Sequence, residues 1–227
     1  MKKTYIVTGY YGSGKTEFCV NFALELSRRD EKIYIADLDL INPYFRSREK
    51  AEYLQQFNIE IVGNALGNHT GQDLPALSYN FLSLIERGES VILDLAGNEY
   101  GLNVLAGCYN SIIGNSNEGK QYEFLCVFNR YRPETGTEEK MVRFVHKLNS
   151  ISKLPITGIV NNSHMLYETE PEHIISSQEI ILSACSELGL PLRYTQIKRS
   201  VYEQIQQEIT SEQVIVFDEL KMRESWQ

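Results

Sequence analysis

Gly9-Tyr10-Tyr11-Gly12-Ser13-Gly14-Lys15-Thr16 is the stretch that decides the fold. It fits G-x-x-x-x-G-K-[ST] and follows the apolar run Tyr5-Ile6-Val7. Its glycines let successive backbone N–H groups turn toward one anion. The residues after it predict a helix over 15–29, with Phe18, Phe22 and Leu26 four apart on one stripe. The start of that helix adds unsatisfied N–H groups and a positive dipole end. Lys15 supplies a mobile cation for the outer phosphates. Thr16 supplies a hydroxyl for Mg²⁺, an ion that keeps most of its waters and takes few protein ligands. A glycine-rich turn with a surface lysine is the plain alternative, and the strand before and helix after argue against it. The expected nucleotide site is therefore Gly9, Gly12, Ser13, Gly14, Lys15, Thr16 and Glu17.

Outward from the loop, strand-like and helix-like segments alternate. Strands are predicted over 4–8, 33–37, 59–62, 91–95, 124–128, 156–160 and 192–197. Helices are predicted over 74–87, 138–151, 174–188 and 202–208, with 214–217 as an edge strand or strap. Most of the strands are nearly continuous apolar runs, as in a sheet covered on both faces. The pattern predicts a three-layer α/β/α fold with a mostly parallel sheet, in one domain spanning 1–227. Ligands in such sheets bind beyond the carboxyl ends of the strands. Asp37, Asp39, Asp94, Asn98, Asn129, Asn161 and Asn162 all fall at those ends.

Two acidic segments carry the remaining chemistry. In Asp37-Leu38-Asp39-Leu40-Ile41-Asn42-Pro43 the two carboxylates lie two apart, so an extended chain points them the same way. A carboxylate facing the phosphates can hold a Mg²⁺-bound water or orient an attacking one. Asp39 is the expected functional partner and Asp37 the supporting one. In Val91-Ile92-Leu93-Asp94-Leu95-Ala96-Gly97 an acid ends an apolar strand, and Gly97 leaves room for a backbone N–H beside the outer phosphate. The polar stretch 67–75 is loop-like and contains His69, a candidate ligand or base, although a lone loop histidine is more often neither.

With 30 acidic against 22 basic residues the net charge is -8, which opposes binding to a nucleic-acid backbone. The densest basic cluster, Arg46-Ser47-Arg48-Glu49-Lys50, is short and broken by a glutamate. Cys19, Cys108, Cys126 and Cys185 form no C-x-x-C pair and are expected to be buried free thiols in a reducing compartment. No apolar run is long enough for a signal-peptide core or a membrane span. Residues 221–227 are polar around the single Trp226 and make no amphipathic membrane helix. The expectation is a cytoplasmic location, with no membrane and no nucleic acid as partner.

The loop, the Asp-Leu-Asp segment and the Leu-Asp-Leu-Ala-Gly segment, in this order, resemble the MinD/ParA/CobQ (SIMIBI) branch of P-loop NTPases. Within it, the chain is similar to bacterial ATP-binding proteins bearing D-L-D-x-x-N-P-Y-F-R-S-R-E, here residues 37–49. The resemblance implies ATP and Mg²⁺ as cofactors and Lys15 and Asp39 as catalytic residues. It implies Thr16, Asp39 and Asp94 around the metal, and Gly97 in the second switch. It also places Asn161, or its neighbour Asn162, against adenine, where an amide can donate and accept together. No N-K-x-D guanine signature occurs. In MinD and ParA a lysine stands at the position of Tyr10, and a tyrosine ring cannot supply its charge. Hydrolysis is then slow, or a cation comes from elsewhere, with Arg46, Arg48 or a partner as candidates. The reading is a slow Mg-dependent ATPase, a nucleotide switch acting on an unknown protein partner, with a homodimer left open. A kinase or ligase of the dethiobiotin-synthetase type, with a small-molecule acceptor, is one alternative. A non-hydrolysing ATP-binding scaffold is the other.

Overall fold

The computed structural model describes residues 3–29, 32–38, 50–62, 80–114 and 122–222. Strands β1 (Thr4–Thr8), β2 (Ile33–Asp37), β3 (Ile59–Val62) and β4 (Ser90–Asp94) come from the first half of the chain. Strands β5 (Tyr122–Phe128), β6 (Gly158–Asn161), β7 (Leu192–Lys198) and β8 (Gln213–Phe217) come from the second. Among the described residues they form one sheet in the order β3-β2-β4-β1-β5-β6-β7-β8, with every neighbouring pair parallel. The helices are α1 (Lys15–Ser27), α2 (Ala51–Gln55), α3 (Asn80–Glu86), α4 (Glu99–Ile113), α5 (Glu138–Ile151), α6 (Pro171–Leu188) and α7 (Arg199–Ile205).

Side chains alternate between two cores, one on each face, because strand residues project with a period of two. Val7, Ile92, Leu125 and Val127 pack with Phe18 and Phe22 of α1. Ile6, Leu93, Phe124 and Cys126 project the other way, to Leu102, Leu105, Met141 and Ile181 of α4, α5 and α6. Burying both faces explains why these strands read as unbroken apolar runs, and it makes the sandwich α/β/α. All four cysteines are free and buried.

The strand expectations hold within a residue or two, and 138–151 coincides with α5. Helix α4 is the main element the sequence reading did not assign. Gly101 and Gly107 weaken its propensity, yet Asn98 caps it, its Oδ1 accepting the Gly101 N–H at 3.1 Å. The short α2 is a second addition. α7 starts three residues before the expected 202. α6 starts at Pro171, since proline suits the first helical turn and Glu170 with His173 forms a reciprocal capping box there. Of the helix expected over 74–87, residues 74–79 lie outside the described residues.

Candidate nucleotide site

Chain connectivity puts the carboxyl ends of β1, β4, β5 and β6 side by side, and the 9–16 loop rises from the first of them. The Ser13 N–H closes on the Tyr10 carbonyl at 3.1 Å, and the Phe18 N–H opens the helical ladder on the Gly14 carbonyl at 2.9 Å. Gly14 is the cap of α1 with φ 81°, a left-handed conformation that only glycine adopts without strain. Ser13, Lys15 and Thr16 are buried within the loop.

Two neighbouring strand ends hold this loop in shape. Gly97, just past β4, lies so close that an added Cβ would stand 1.8 Å from the Gly9 carbonyl oxygen. From the other side comes Asn162, just past β6. Its Nδ2 donates to the Ser13 carbonyl at 2.8 Å and the Gly14 carbonyl at 3.3 Å, while its Oδ1 accepts from Gln196 Nε2 at 3.1 Å. Asn161 has a different task. Its Nδ2 donates to Ser177 Oγ at 3.2 Å and its Oδ1 accepts the Ser163 N–H at 3.0 Å. Both ends of its amide are thereby spent inside the chain, and the residue is fully buried. Of the two asparagines, it is Asn162 that touches the loop.

Asp37 and Asp94 are both buried and pair in register across β2 and β4. Opposed residues of a ladder project from the same face, so two carboxylates stand together at the sheet's carboxyl edge. Lys15 is close enough to be felt in the same cluster. Burial pushes the Cys19 thiol well above its ordinary range; Asp94 beside it adds to the rise, Lys15 opposes it and Asp37 reinforces it. Two buried carboxylates at strand ends, with the Thr16 hydroxyl in the loop that follows β1, are donors of the kind that Mg²⁺ takes. Asp39, Arg46, Arg48 and His69 lie outside the described residues.

Glu17 turns its carboxylate away from the loop. Its oxygens accept from Asn21 Nδ2 at 2.9 Å, the Lys221 N–H at 2.8 Å and the Met222 N–H at 2.9 Å. Burial raises its pKa, and these donors reverse that only in part.

Two cavities flank the loop. One, of about 410 Å³, runs from Gly12, Lys15 and Thr16 to Arg132, His164 and Leu220. Arg132 reaches over the loop crest, its Nε donating to the Gly12 carbonyl at 2.9 Å. Arg132 is a cation at the loop that the sequence candidates Arg46 and Arg48 do not include. The signal was the polar run Asn129-Arg130-Tyr131-Arg132, which leaves the carboxyl end of β5 where ligands bind in such sheets. The other cavity, of about 380 Å³, borders Lys15, Gly97 and Asn98 and is walled by Tyr10, Phe144 and Ile151. The Tyr10 ring packs edge-on to Phe144, with centroids 5.6 Å apart. Tyr11 beside it is 70% exposed.

No family model and no curated protein matches the sequence. Solved structures do match the fold. The cell division protein FtsY of Thermotoga maritima superposes with a TM-score of 0.53 at 17% identity, covering 87% of this chain and 62% of that one. The signal recognition particle receptor FtsY of Elizabethkingia anophelis, in complex with GDP, gives 0.55 at 13% identity, covering 87% and 57%. The signal recognition particle 54 kDa protein of Aeropyrum pernix, also with GDP, gives 0.51 at 18%, covering 86% and 41%. The fold is that of a P-loop NTPase. The chain spans about two fifths to three fifths of the length of these proteins. Among the described residues, no helix is long and apolar enough to cross a membrane.

Proposed function

We propose that this chain binds ATP with Mg²⁺ as a single P-loop domain and works as a slow nucleotide switch on a partner protein. The observation that carries the reading is the clamped loop: Gly97 abuts Gly9 on one side while Asn162 grips Ser13 and Gly14 on the other. A loop held from two strand ends presents preorganised N–H donors to phosphate and loses little freedom on binding. Lys15 meets the outer phosphates. Thr16 and Asp94, with Asp37 and Asp39 as further carboxylates, would hold the metal. Mg²⁺ bound there would offset the negative charge of the phosphates. Gly97 couples the end of β4 to the loop, so a phosphate that shifts one shifts the other.

Adenine is favoured over guanine by the residues that leave β6. Asn161-Asn162-Ser163-His164 offers no carboxylate to accept the two N–H groups of a guanine edge. The tyrosine at position 10 supplies no charge to a transferring phosphoryl group, and slow turnover follows. Calorimetric titration with Mg-ATP and Mg-GTP tests the reading, together with ATP turnover by wild type and Lys15→Ala. Micromolar ATP binding, weaker GTP binding and slow turnover lost in Lys15→Ala are expected. Wild type that binds neither nucleotide refutes it.

The second cavity favours one other reading. It adjoins Lys15 and Gly97 and is large enough for a small metabolite, so a phosphoryl acceptor could sit against Tyr10 and Phe144. ADP release that depends on one added metabolite would select this kinase or ligase reading over the switch.

A further inference from the structure

Glu17 follows Lys15 and Thr16 directly and lies in the first turn of α1. A bare carboxylate there would repel the phosphate that the loop is shaped to hold. Its three donors keep it turned away, and two of them are backbone N–H groups 204 and 205 residues further along the chain. Those residues, Lys221 and Met222, follow β8. Leu220 and Met222 line the 410 Å³ cavity together with Arg132, His164 and Leu166. Met222 also packs into the core beside Phe18 and Phe22 of α1. The segment after β8 is thus tied to α1 through Glu17, and the same segment lines the cavity. The loop lends Gly12, Gly14 and Lys15 to this cavity, and Leu166, Leu220, Met222 and the His164 ring give it apolar and aromatic lining that suits a flat heteroaromatic group.

We infer that Glu17 is a positioning residue: it latches residues 220–222 across the cavity as the wall against which a nucleobase packs, and so sets the base-dependent part of nucleotide affinity. The inference rests on the nucleotide-binding reading above. The chemistry is specific to a carboxylate. Both oxygens accept, so adjacent N–H groups can be held together with the Asn21 amide. A glutamine would set its own NH₂ against one of these donors and release it.

Calorimetry on the intact chain with Mg-ATP and with inorganic tripolyphosphate tests this, comparing wild type with Glu17→Gln. Glu17→Gln is expected to weaken ATP about tenfold, as one lost charge-assisted hydrogen bond does, and to leave tripolyphosphate within about twofold. Equal loss for both ligands, or loss for neither, overturns the latch. Wild type that binds tripolyphosphate but gains nothing from the base also overturns it, while leaving a phosphate-binding loop intact. Wild type that binds neither ligand refutes the nucleotide reading itself. Should Glu17→Gln fail to fold, hydrogen exchange on wild type decides. The Lys221 and Met222 amides are expected to slow about tenfold with ATP and not with tripolyphosphate. Unchanged or equal protection by the two ligands overturns the proposal.

Discussion

Replacing Asn162 by alanine removes one side chain and three hydrogen bonds at once. Two go from Nδ2 to the Ser13 and Gly14 carbonyls, and one comes to Oδ1 from Gln196 Nε2. The residue is buried, so water does not simply replace it. The Gly14 carbonyl keeps the Phe18 N–H, which limits the damage on that side. A typical lost bond costs about 1 kcal/mol, and a buried partner left unsatisfied costs about 1–3 kcal/mol. The sum expected for Asn162→Ala is about 2–4 kcal/mol, since the three bonds share one site and are not additive. For a chain of this size that lowers the melting temperature by roughly 5–15 °C. A second effect falls on the ligand. Without the clamp the Ser13–Gly14 backbone is free to move, and Mg-ATP affinity is expected to fall at least about tenfold, or about 1.4 kcal/mol. Titration calorimetry well below the melting point of the variant reads this directly. Asn161→Ala is the matched control, because its amide bonds Ser177 and Ser163 and makes no bond to the loop. It is expected to lose stability and keep ATP affinity within about threefold. If Asn162→Ala binds ATP as wild type does, the clamp is not what shapes the loop. If Asn161→Ala is the variant that loses ATP, Asn161 meets the nucleotide despite its bonds to Ser177 and Ser163.

Gly97→Ala forces a methyl group into the Gly9 carbonyl, and overpacking of this kind costs about 1–3 kcal/mol. Thermal melting and ATP titration should both show the loss, and an unchanged variant would mean the two segments do not touch. Tyr10→Ala gives up the edge contact with Phe144 and opens the second cavity, for a loss of about 1 kcal/mol in urea unfolding; a neutral result would show the ring contributes no packing. Burial pushes the Cys108 thiol up to about 11 and the Cys185 thiol up to about 12, with Cys126 and Cys19 also raised. Unfolded thiols ionise near pH 8.5 while the folded ones stay protonated, so the unfolded chain holds fewer protons and stability falls as pH rises above about 9. Urea midpoints from pH 8 to 10.5 should decline accordingly, and the native protein at pH 8 should resist a disulfide thiol reagent; rapid labelling of all four thiols would contradict their burial.

What could be read from the sequence divides along a physical line. β1, β3 and α5 were legible because their limits are written locally. They are apolar runs or stripes that stop at polar or glycine residues. Helix α4 was hidden because Gly101 and Gly107 lower its propensity, although Leu102, Leu105 and Ile112 lie on one face and are all buried. Packing against α3 and α5 supplies what propensity withholds. The same line runs through the site. A phosphate loop is a local device, eight residues with their own turn chemistry, so the motif alone announced it. What holds the loop is not local. Arg132 reaches Gly12 across 120 residues, Asn162 reaches Ser13 across 149, and Lys221 reaches Glu17 across 204. No window of sequence contains both partners of any of these bonds. The parallel topology makes them, by bringing the carboxyl ends of β5 and β6 to one edge beside the loop, with the segment after β8 folded back onto α1. The position that stood out most in sequence, Tyr10, is likewise explained by a partner 134 places away: Phe144 of α5, which turns the ring into a wall of the second cavity. A tyrosine that looks like a missing lysine in one dimension is, in three, part of a recess beside Lys15. What that recess admits therefore depends on two residues together, Tyr10 from the loop and Phe144 from α5.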